Sequence, residues 1–242
     1  LLAACLLTEQ RCVLTNVPRI QDVQVMIQLL EGLGAHIEGV GTTTLSIQCK
    51  DIVTNEPDPQ LVGRLRGSVL LVGPLLGRLG SARLAPPGGD FPARRTLAAH
   101  LQALRAMGVR DAQIDGYELH ADNGLRAASI YLEEASVTGT ETAILAAAAA
   151  NGMTEIRHAA MEPHVVELCV FLRAMGVEIT GAGTPVIRII GGGPVGGAAH
   201  ELDGDYIEAG SWAVVAGITG GEVEIAGARV RDLEPVTTIL GQ

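Results

Sequence analysis

Aromatic side chains are almost missing here: two Phe, three Tyr and one Trp make up 2% of a 242-residue sequence that is 48% apolar. A core without rings has to be assembled from Leu, Ile, Val and Ala, which suits closely packed helices and buried strands. Lysine is scarcer still, Lys50 being the single one among 17 Lys and Arg residues. The net charge of −10 excludes non-specific nucleic-acid binding as a main role. Clustered arginines still leave room for local anion sites. No CxxC pair or Cys/His ligand spacing surrounds the four cysteines, Cys5, Cys12, Cys49 and Cys169. No metal site is therefore expected, and the thiols read as buried groups of a reducing compartment. The apolar run 143–150 is too short to cross a bilayer, and no signal-peptide pattern is read. The expectation is a cytoplasmic protein with no membrane and no nucleic-acid partner.

What the sequence does have is repetition. Three segments share an amphipathic helix, a Leu/Met-Gly-Ala/Val stop, and two short strands around a Gly turn. The first passes through Leu33-Gly34-Ala35 into strands near 36–40 and 43–48. The second passes through Met107-Gly108-Val109 into 111–114 and 117–121, and the third through Met175-Gly176-Val177 into 178–180 and 186–190. Gly after the last apolar turn is a helix C-cap signal, and Asp115-Gly116 is a hairpin signal. Ahead of each segment lies a small-residue apolar helix, a turn and a strand: 1–7 into 11–14, 68–79 into 82–84, and 141–150 into 155–157. A fourth such front half, 211–218 into 222–225, has no back half. Each unit thus reads helix-strand-helix-strand-strand, with a further strand expected before the first helix. One unit cannot bury an apolar helix alone, whereas three about a common axis can. The fold class is α/β. The glycine-rich stretch 191–197 reads as a loop and places a hinge near 203–205, dividing the chain into residues 1–204 and a partial second domain, 205–242. An opening without Met inside an apolar helix, together with the broken fourth unit, leads to the expectation of a portion of a longer protein.

Two features carry candidate chemistry. Arg66-Gly67-Ser68, Thr138-Gly139-Thr140 and Ala209-Gly210-Ser211 each set Gly beside a hydroxyl near a helix start. Unpaired N–H groups and the positive dipole end attract anions there, although ordinary N-capping accounts for any one of them alone. The segment Pro86-Pro87-Gly88-Gly89-Asp90-Phe91-Pro92-Ala93-Arg94-Arg95 combines rigid prolines, permissive glycines, a carboxylate and two guanidiniums. That combination serves either a proton donor beside an anionic substrate or a plain surface turn.

Taken in order, these residues resemble the enolpyruvyl transferases. Asn16-Val17-Pro18-Arg19 with Asp22-Val23 is similar to that family's first repeat. Arg66-Gly67-Ser68 and Gly73-Pro74-Leu75 are similar to its Arg-Ala-Ser and Gly-Pro-Leu elements. Pro87-Gly88-Gly89-Asp90 falls on its Pro-Gly-Gly-Cys loop, and Ser136-Val137-Thr138-Gly139-Thr140 on its Ser-Val-Gly-Ala-Thr nucleotide turn. Glu162-Pro163, and Asp205 with Ile207-Glu208-Ala209-Gly210-Ser211, match two further stretches, so the resemblance covers essentially the whole chain. It implies two inverse α/β barrel domains, each built of three βαβαββ-type repeats, with 1–204 most of one and 205–242 the start of a second similar one. It implies transfer of the enolpyruvyl group of phosphoenolpyruvate to the 3′-hydroxyl of UDP-N-acetylglucosamine with release of phosphate, the first committed step of peptidoglycan synthesis. No metal or organic cofactor takes part in that reaction. The resemblance also implies residue roles. Asp90 is the general acid that protonates the methylene carbon of phosphoenolpyruvate, and Arg66 and Arg95 bind substrate anions. Thr96, Leu97, Ala98 and Ala99 lie along the nucleotide-binding stretch, and Ser136, Val137 and Thr138 at the nucleotide turn. His100 follows, either at the site or in helix packing or capping.

The chain departs from the family pattern at named positions. Asp90 stands where Cys is usual, which removes the thiolate that fosfomycin alkylates. A carboxyl donates a proton there if its pKa is raised, and Arg94 and Arg95 oppose that. Ala98 replaces a usual Asp, Met161 and Tyr206 replace usual arginines, and Ala93-Arg94-Arg95-Thr96 replaces Gly-Ala-Arg-Pro. The family's Lys-Asn pair for phosphoenolpyruvate falls before residue 1. Two other readings stay open: the shikimate-pathway sister that uses shikimate 3-phosphate, against which the Gly-Gly-acid loop speaks, and a paralogue that binds sugar nucleotide without catalysis.

Overall fold

The repeats reappear as sheets. The computed structural model describes residues 1–88, 96–112 and 116–241, and the chain divides into two compact units, Leu1–His200 and Glu201–Gln242. The first unit opens with a 3-10 helix, Leu2–Leu7, followed by β1 (Cys12–Thr15), α1 (Gln21–Gly32), β2 (His36–Glu38) and β3 (Leu45–Gln48). A short α2 (Pro59–Val62) and a 3-10 helix, Arg66–Leu71, lead into α3 (Val72–Leu79), β4 (Ser81–Leu84), α4 (Ala98–Ala106), β5 (Arg110–Ala112) and β6 (Tyr117–His120). The third repeat is β7 (Ser129–Tyr131), α5 (Val137–Ala149), β8 (Gly152–Arg157), α6 (Pro163–Ala174), β9 (Glu178–Thr180) and β10 (Val186–Gly191), after which comes β11 (Ala199–Glu201). Three sheets result, ordered β11-β1-β3-β2, β4-β6-β5 and β7-β8-β10-β9.

Local chemistry repeats with the topology. Gly34, Gly108 and Gly176 have φ of 106°, 90° and 97°, the left-handed conformation that glycine adopts without a Cβ penalty. Beyond each, an N–H reaches back five residues: Ala35 to Leu30 at 2.9 Å, Val109 to Leu104 at 3.0 Å and Val177 to Leu172 at 3.0 Å. The β2–β3 and β9–β10 turns share a threonine clasp. Thr42 Oγ1 donates to Gly39 C=O and Thr184 Oγ1 to Gly181 C=O, both at 2.8 Å. Among the described residues, the two non-glycine residues with left-handed backbone, Asn16 and His158, directly follow β1 and β8.

Some elements differ from their sequence-based outlines. Residues 2–7 form a 3-10 helix and α3 begins only at Val72, because continuous apolar runs fix burial but not helix type. No strand precedes the second repeat's first helix among the described residues. Its edge place beside β4 is held by Asn55, whose C=O accepts from Arg83 N–H at 2.9 Å and whose Nδ2 donates to Ser81 Oγ at 2.8 Å. Pro57 and Pro59, with no N–H to give, stop a longer ladder. Of the Asp115-Gly116 hairpin signal, Asp115 lies outside the described residues. In the second unit, α7 (Tyr206–Thr219) is followed by a 3-10 helix, Val230–Leu233, and α8 (Glu234–Leu240). Residues 222–225, expected as a strand, join no ladder among the described residues, since an apolar alternation makes a strand only where a partner edge exists. Trp212 stands half exposed on α7, at 50%. Among the described residues no helix is long and apolar enough to cross a membrane.

Small residues set the core of the first unit. The Leu2–Leu7 helix, α3 and α5 touch one another. Around α5 the residues Ala143, Ile144, Leu145, Ala146, Ala147 and Ala148 are all buried. Gly73 and Gly77 of α3 face this alanine-rich helix. A Cβ on Gly73 would come within 3.0 Å of Ala146 N and 3.2 Å of Leu145 Cβ, and a Cβ on Gly77 would overlap Ala149 Cβ. Arg78, next on α3, donates to Leu6 C=O at 3.1 Å, Cys49 C=O at 3.2 Å and Lys50 C=O at 3.1 Å, tying the first helix to the end of β3.

Gly77→Ala tests this contact. Alanine gains about 1 kcal/mol of intrinsic helix preference, yet the substitution is expected to destabilise the chain by about 1–2 kcal/mol through overpacking. Adding Ala149→Gly is expected to recover part of the loss, measured by urea unfolding.

Candidate functional site

The start of α5 is fixed by Ser136. Its Oγ accepts from Gly139 N–H at 3.2 Å, and the first intrahelical bond runs from Thr140 N–H to Ser136 C=O at 2.9 Å. The amides of Val137 and Thr138 therefore precede the helical ladder, at the positive end of the helix dipole. They stand at the wall of a cavity of about 290 Å³. Arg66 contributes from the start of its 3-10 helix, Thr96, Ala99 and His100 from the entry to α4, and residues 134–138 from the entry to α5.

Hydrogen bonds hold these three segments together. Arg66 Nη2 donates to Thr96 C=O at 2.9 Å, and Thr96 Oγ1 accepts from Ala98 N–H at 3.3 Å. Helices α4 and α5 approach closely because Gly139 has no side chain: a Cβ there would lie 3.0 Å from Ala99 Cβ. His100, only 3% exposed, reaches α5 with both ring nitrogens. Nδ1 lies 2.9 Å from Thr142 Oγ1 and Nε2 3.2 Å from Thr138 Oγ1. Burial, and then the nearby Arg66 charge, push the imidazole pKa down to about 4, so the ring is neutral at physiological pH. Thr140 Oγ1 is committed to structure, accepting from Ala160 N–H at 3.0 Å. One fixed guanidinium, two first-turn amides and a hydroxyl make the cavity a place for an anionic, acceptor-rich ligand, with Glu134 as the carboxylate on its rim.

Of the residues expected at a site, Arg66, Thr96, Ala99, Ser136, Val137 and Thr138 line this cavity, and His100 joins them. Leu97 and Ala98 are not on the lining: Leu97 is buried in the core, and Ala98 is the exposed first residue of α4. Asp90 and Arg95 lie outside the described residues. Glu134 and Ala135 were not foreseen, and their one sequence signal is that they immediately precede the Ser136 cap. Among the three Gly-hydroxyl starts, only 138–140 occupies the first turn of an α-helix at the cavity, 66–68 opening a 3-10 helix there instead. Ser68 is buried and donates to Leu65 C=O at 2.7 Å. Gly210-Ser211 falls inside α7, which starts earlier because Asp205 Oδ1 accepts from Ile207 N–H at 2.8 Å and Glu208 N–H at 3.2 Å. Among the described residues no group of three or more His, Cys, Asp or Glu could hold a metal ion.

Known proteins share this architecture and sequence. The solved enolpyruvyl transferase NikO from Streptomyces tendae superposes with a TM-score of 0.82 at 23% identity, over 99% of this chain and 58% of that one. An EPSP synthase from Acinetobacter baumannii gives 0.69 at 20% identity, over 90% of this chain and 51% of the other; both likenesses speak to the fold alone. By sequence, the chain is 40% identical over 241 residues to a UDP-N-acetylglucosamine 1-carboxyvinyltransferase of Treponema denticola, covering 100% of this chain and 56% of that protein. It is 42% identical over 236 residues to one of Bradyrhizobium diazoefficiens, covering 98% of this chain and 54% of that protein. The chain thus spans about half the length of the curated relatives it matches. The profile of the family described as EPSP synthase (3-phosphoshikimate 1-carboxyvinyltransferase) fits residues 1–242, and with three repeated sheets beneath that fit, the chain belongs to this family of enolpyruvyl transferases.

Proposed function

We propose that the chain is the catalytic-loop portion of a UDP-N-acetylglucosamine 1-carboxyvinyltransferase, a cytoplasmic enzyme of peptidoglycan synthesis. On this reading residues 1–204 form most of an inverse α/β barrel, and 205–242 begin a second one. The observation that carries it is the single cavity uniting Arg66, Thr96, Ala99 and the α5 start, which come from three separate stretches of sequence. An anionic sugar nucleotide matches the guanidinium and helix-start amides found there. Relatives at 40% and 42% identity bear that enzyme's name, whereas the EPSP synthase likeness at 20% identity concerns fold.

In the proposed reaction, the 3′-hydroxyl of the sugar attacks C2 of phosphoenolpyruvate and loses its own proton to solvent, while Asp90 protonates the methylene carbon. A tetrahedral intermediate forms. It then gives up phosphate and a proton from the new methyl group, restoring the enol double bond. Arg66 and Arg95 hold substrate anions throughout. The exposed Ala98, lacking the carboxylate usual at that place, favours a second reading in which sugar nucleotide binds without turnover.

Calorimetry with UDP-N-acetylglucosamine and a phosphate-release assay on the full-length protein separate the two readings. Binding together with release supports the enzyme, and binding alone supports the paralogue. In that protein, Asp90→Ala is expected to lower turnover by at least about 10²-fold, as loss of a general acid does, with little change in nucleotide affinity. Arg66→Leu is expected to weaken nucleotide binding about tenfold or more, the cost of losing a charge-assisted contact. Fosfomycin is expected to leave the unmodified protein active during prolonged incubation and to inactivate Asp90→Cys progressively. Time-dependent loss of the unmodified enzyme would count against Asp90 as the residue at the reacting centre.

A further inference from the structure

His100 does more than fill space between α4 and α5, because the partners of its two nitrogens differ in kind. Thr142 is fully buried, at 0% exposure. Its hydroxyl proton needs an acceptor, since a buried donor left unmade costs its full desolvation. Among the described residues the one partner of Thr142 Oγ1 is His100 Nδ1, at 2.9 Å. Two helical threonines, Thr219 and Thr237, satisfy their protons on the preceding turn, at Val215 C=O and Leu233 C=O. Thr142 has no such bond, which leaves Nδ1 as the acceptor within reach of its proton.

A neutral imidazole carries one donor and one acceptor. With Nδ1 accepting, the ring proton resides on Nε2 and is donated to Thr138 Oγ1 across 3.2 Å. A lone pair of Thr138 is thereby used, and its own proton is released toward the cavity. The opposite tautomer would reverse every arrow: Thr138 would spend its proton on the ring and present only lone pairs to a ligand. The direction of one buried hydrogen bond thus sets the polarity of a cavity hydroxyl about one helical turn away from it.

We propose that His100 is a positioning residue and Thr138 a specificity-determining one: the Thr142–His100–Thr138 relay makes the Thr138 hydroxyl a dedicated donor to an acceptor oxygen of the bound sugar nucleotide. The ligand rests on the reading of the cavity given above; the direction of the relay does not. Every polar group that α5 offers the cavity at its first turn then points the same way. The Val137 and Thr138 amides and the Thr138 hydroxyl all donate, beside the Arg66 guanidinium. A ligand that brings its own donor to that corner meets a clash of protons, which is discrimination by polarity. The low imidazole pKa agrees, because an imidazolium would have no acceptor for Thr142.

Two measurements test this. Nitrogen-15 NMR of the ligand-free chain is expected to show His100 with a pyridine-like Nδ1 and a pyrrole-like Nε2, unchanged from neutral pH down to near pH 5. A protonated Nδ1 at neutral pH overturns the relay whatever the ligand. UDP-N-acetylglucosamine binding is then compared in two variants. His100→Gln keeps an N–H donor near the Nε2 position, whereas His100→Asn keeps an acceptor for Thr142 but cannot reach Thr138. Both lose one ring bond, so similar drops in Tm are expected. Binding separates them: about threefold weaker for Gln, and about tenfold weaker for Asn, the scale of one hydrogen bond. Thr138→Val is expected to match Asn, and the double variant to lose no more than either alone. Equal losses for Gln and Asn overturn the positioning role. Failure of the unmodified full-length protein to bind the nucleotide overturns the ligand half of the proposal and the site reading together, while the NMR result still decides the relay.

Discussion

The close approach of α3 and α5 is the constraint on which the first unit depends. It exists because Gly73 and Gly77 present no Cβ where Ala146 and Ala149 need room. With the backbones this near, α5 is enclosed along its length, and apolar burial holds it without large side chains. A helix enclosed in this way has polar groups to offer only at its ends. Its N-terminal end, capped by Ser136, is the end that meets the cavity. The second close approach, Ala99 against Gly139, docks α4 beside the same end. Arg66, Thr96 and His100 are thus referred to one rigid element, as catalytic and binding geometry requires.

The repeats supply the frame but not the site. The same C-cap occurs three times and the same threonine clasp twice, so the backbone is close to equivalent from repeat to repeat. The helix starts are not equivalent. The first repeat begins with a 3-10 helix that has no side-chain cap, and the second with a 3-10 turn whose Ser68 hydroxyl bonds within the turn. Only the third presents a serine-capped α-helix long enough to build a substantial dipole. Functional asymmetry within a symmetric scaffold therefore comes from capping chemistry, one residue at a time.

That division explains what was legible in the sequence. The C-caps at Gly34, Gly108 and Gly176 were readable because a left-handed residue after an apolar turn is a local requirement. The outlines of β9 and β10 were readable for the same reason, their turn being specified by neighbouring residues. Residues 222–225 misled because alternation is local while pairing is not. The 3-10 form of Leu2–Leu7 was invisible because a continuous apolar run carries no period. At the site, Arg66 and 136–138 were legible through helix-start chemistry and family resemblance. The inward turn of Leu97 and the outward turn of Ala98 depend on the angle at which α4 enters, which no spacing rule gives. The pairing of His100 with two threonines needed α4 docked on α5, since Thr138 and Thr142 share a face only once the helix exists.

The scarcity of aromatic residues also governs how the molecule can be watched. Trp212, on α7, is the single indole in the chain, and it belongs to the second unit. The cavity and the three apolar helices of the first unit are dark at tryptophan wavelengths. Tryptophan emission therefore clocks the surroundings of α7, whereas far-ultraviolet dichroism sums over every helix and strand, so the two unfolding curves weight the units differently. Where the two units melt separately, their midpoints diverge, and the optical method alone decides which unit appears to define the stability of the whole.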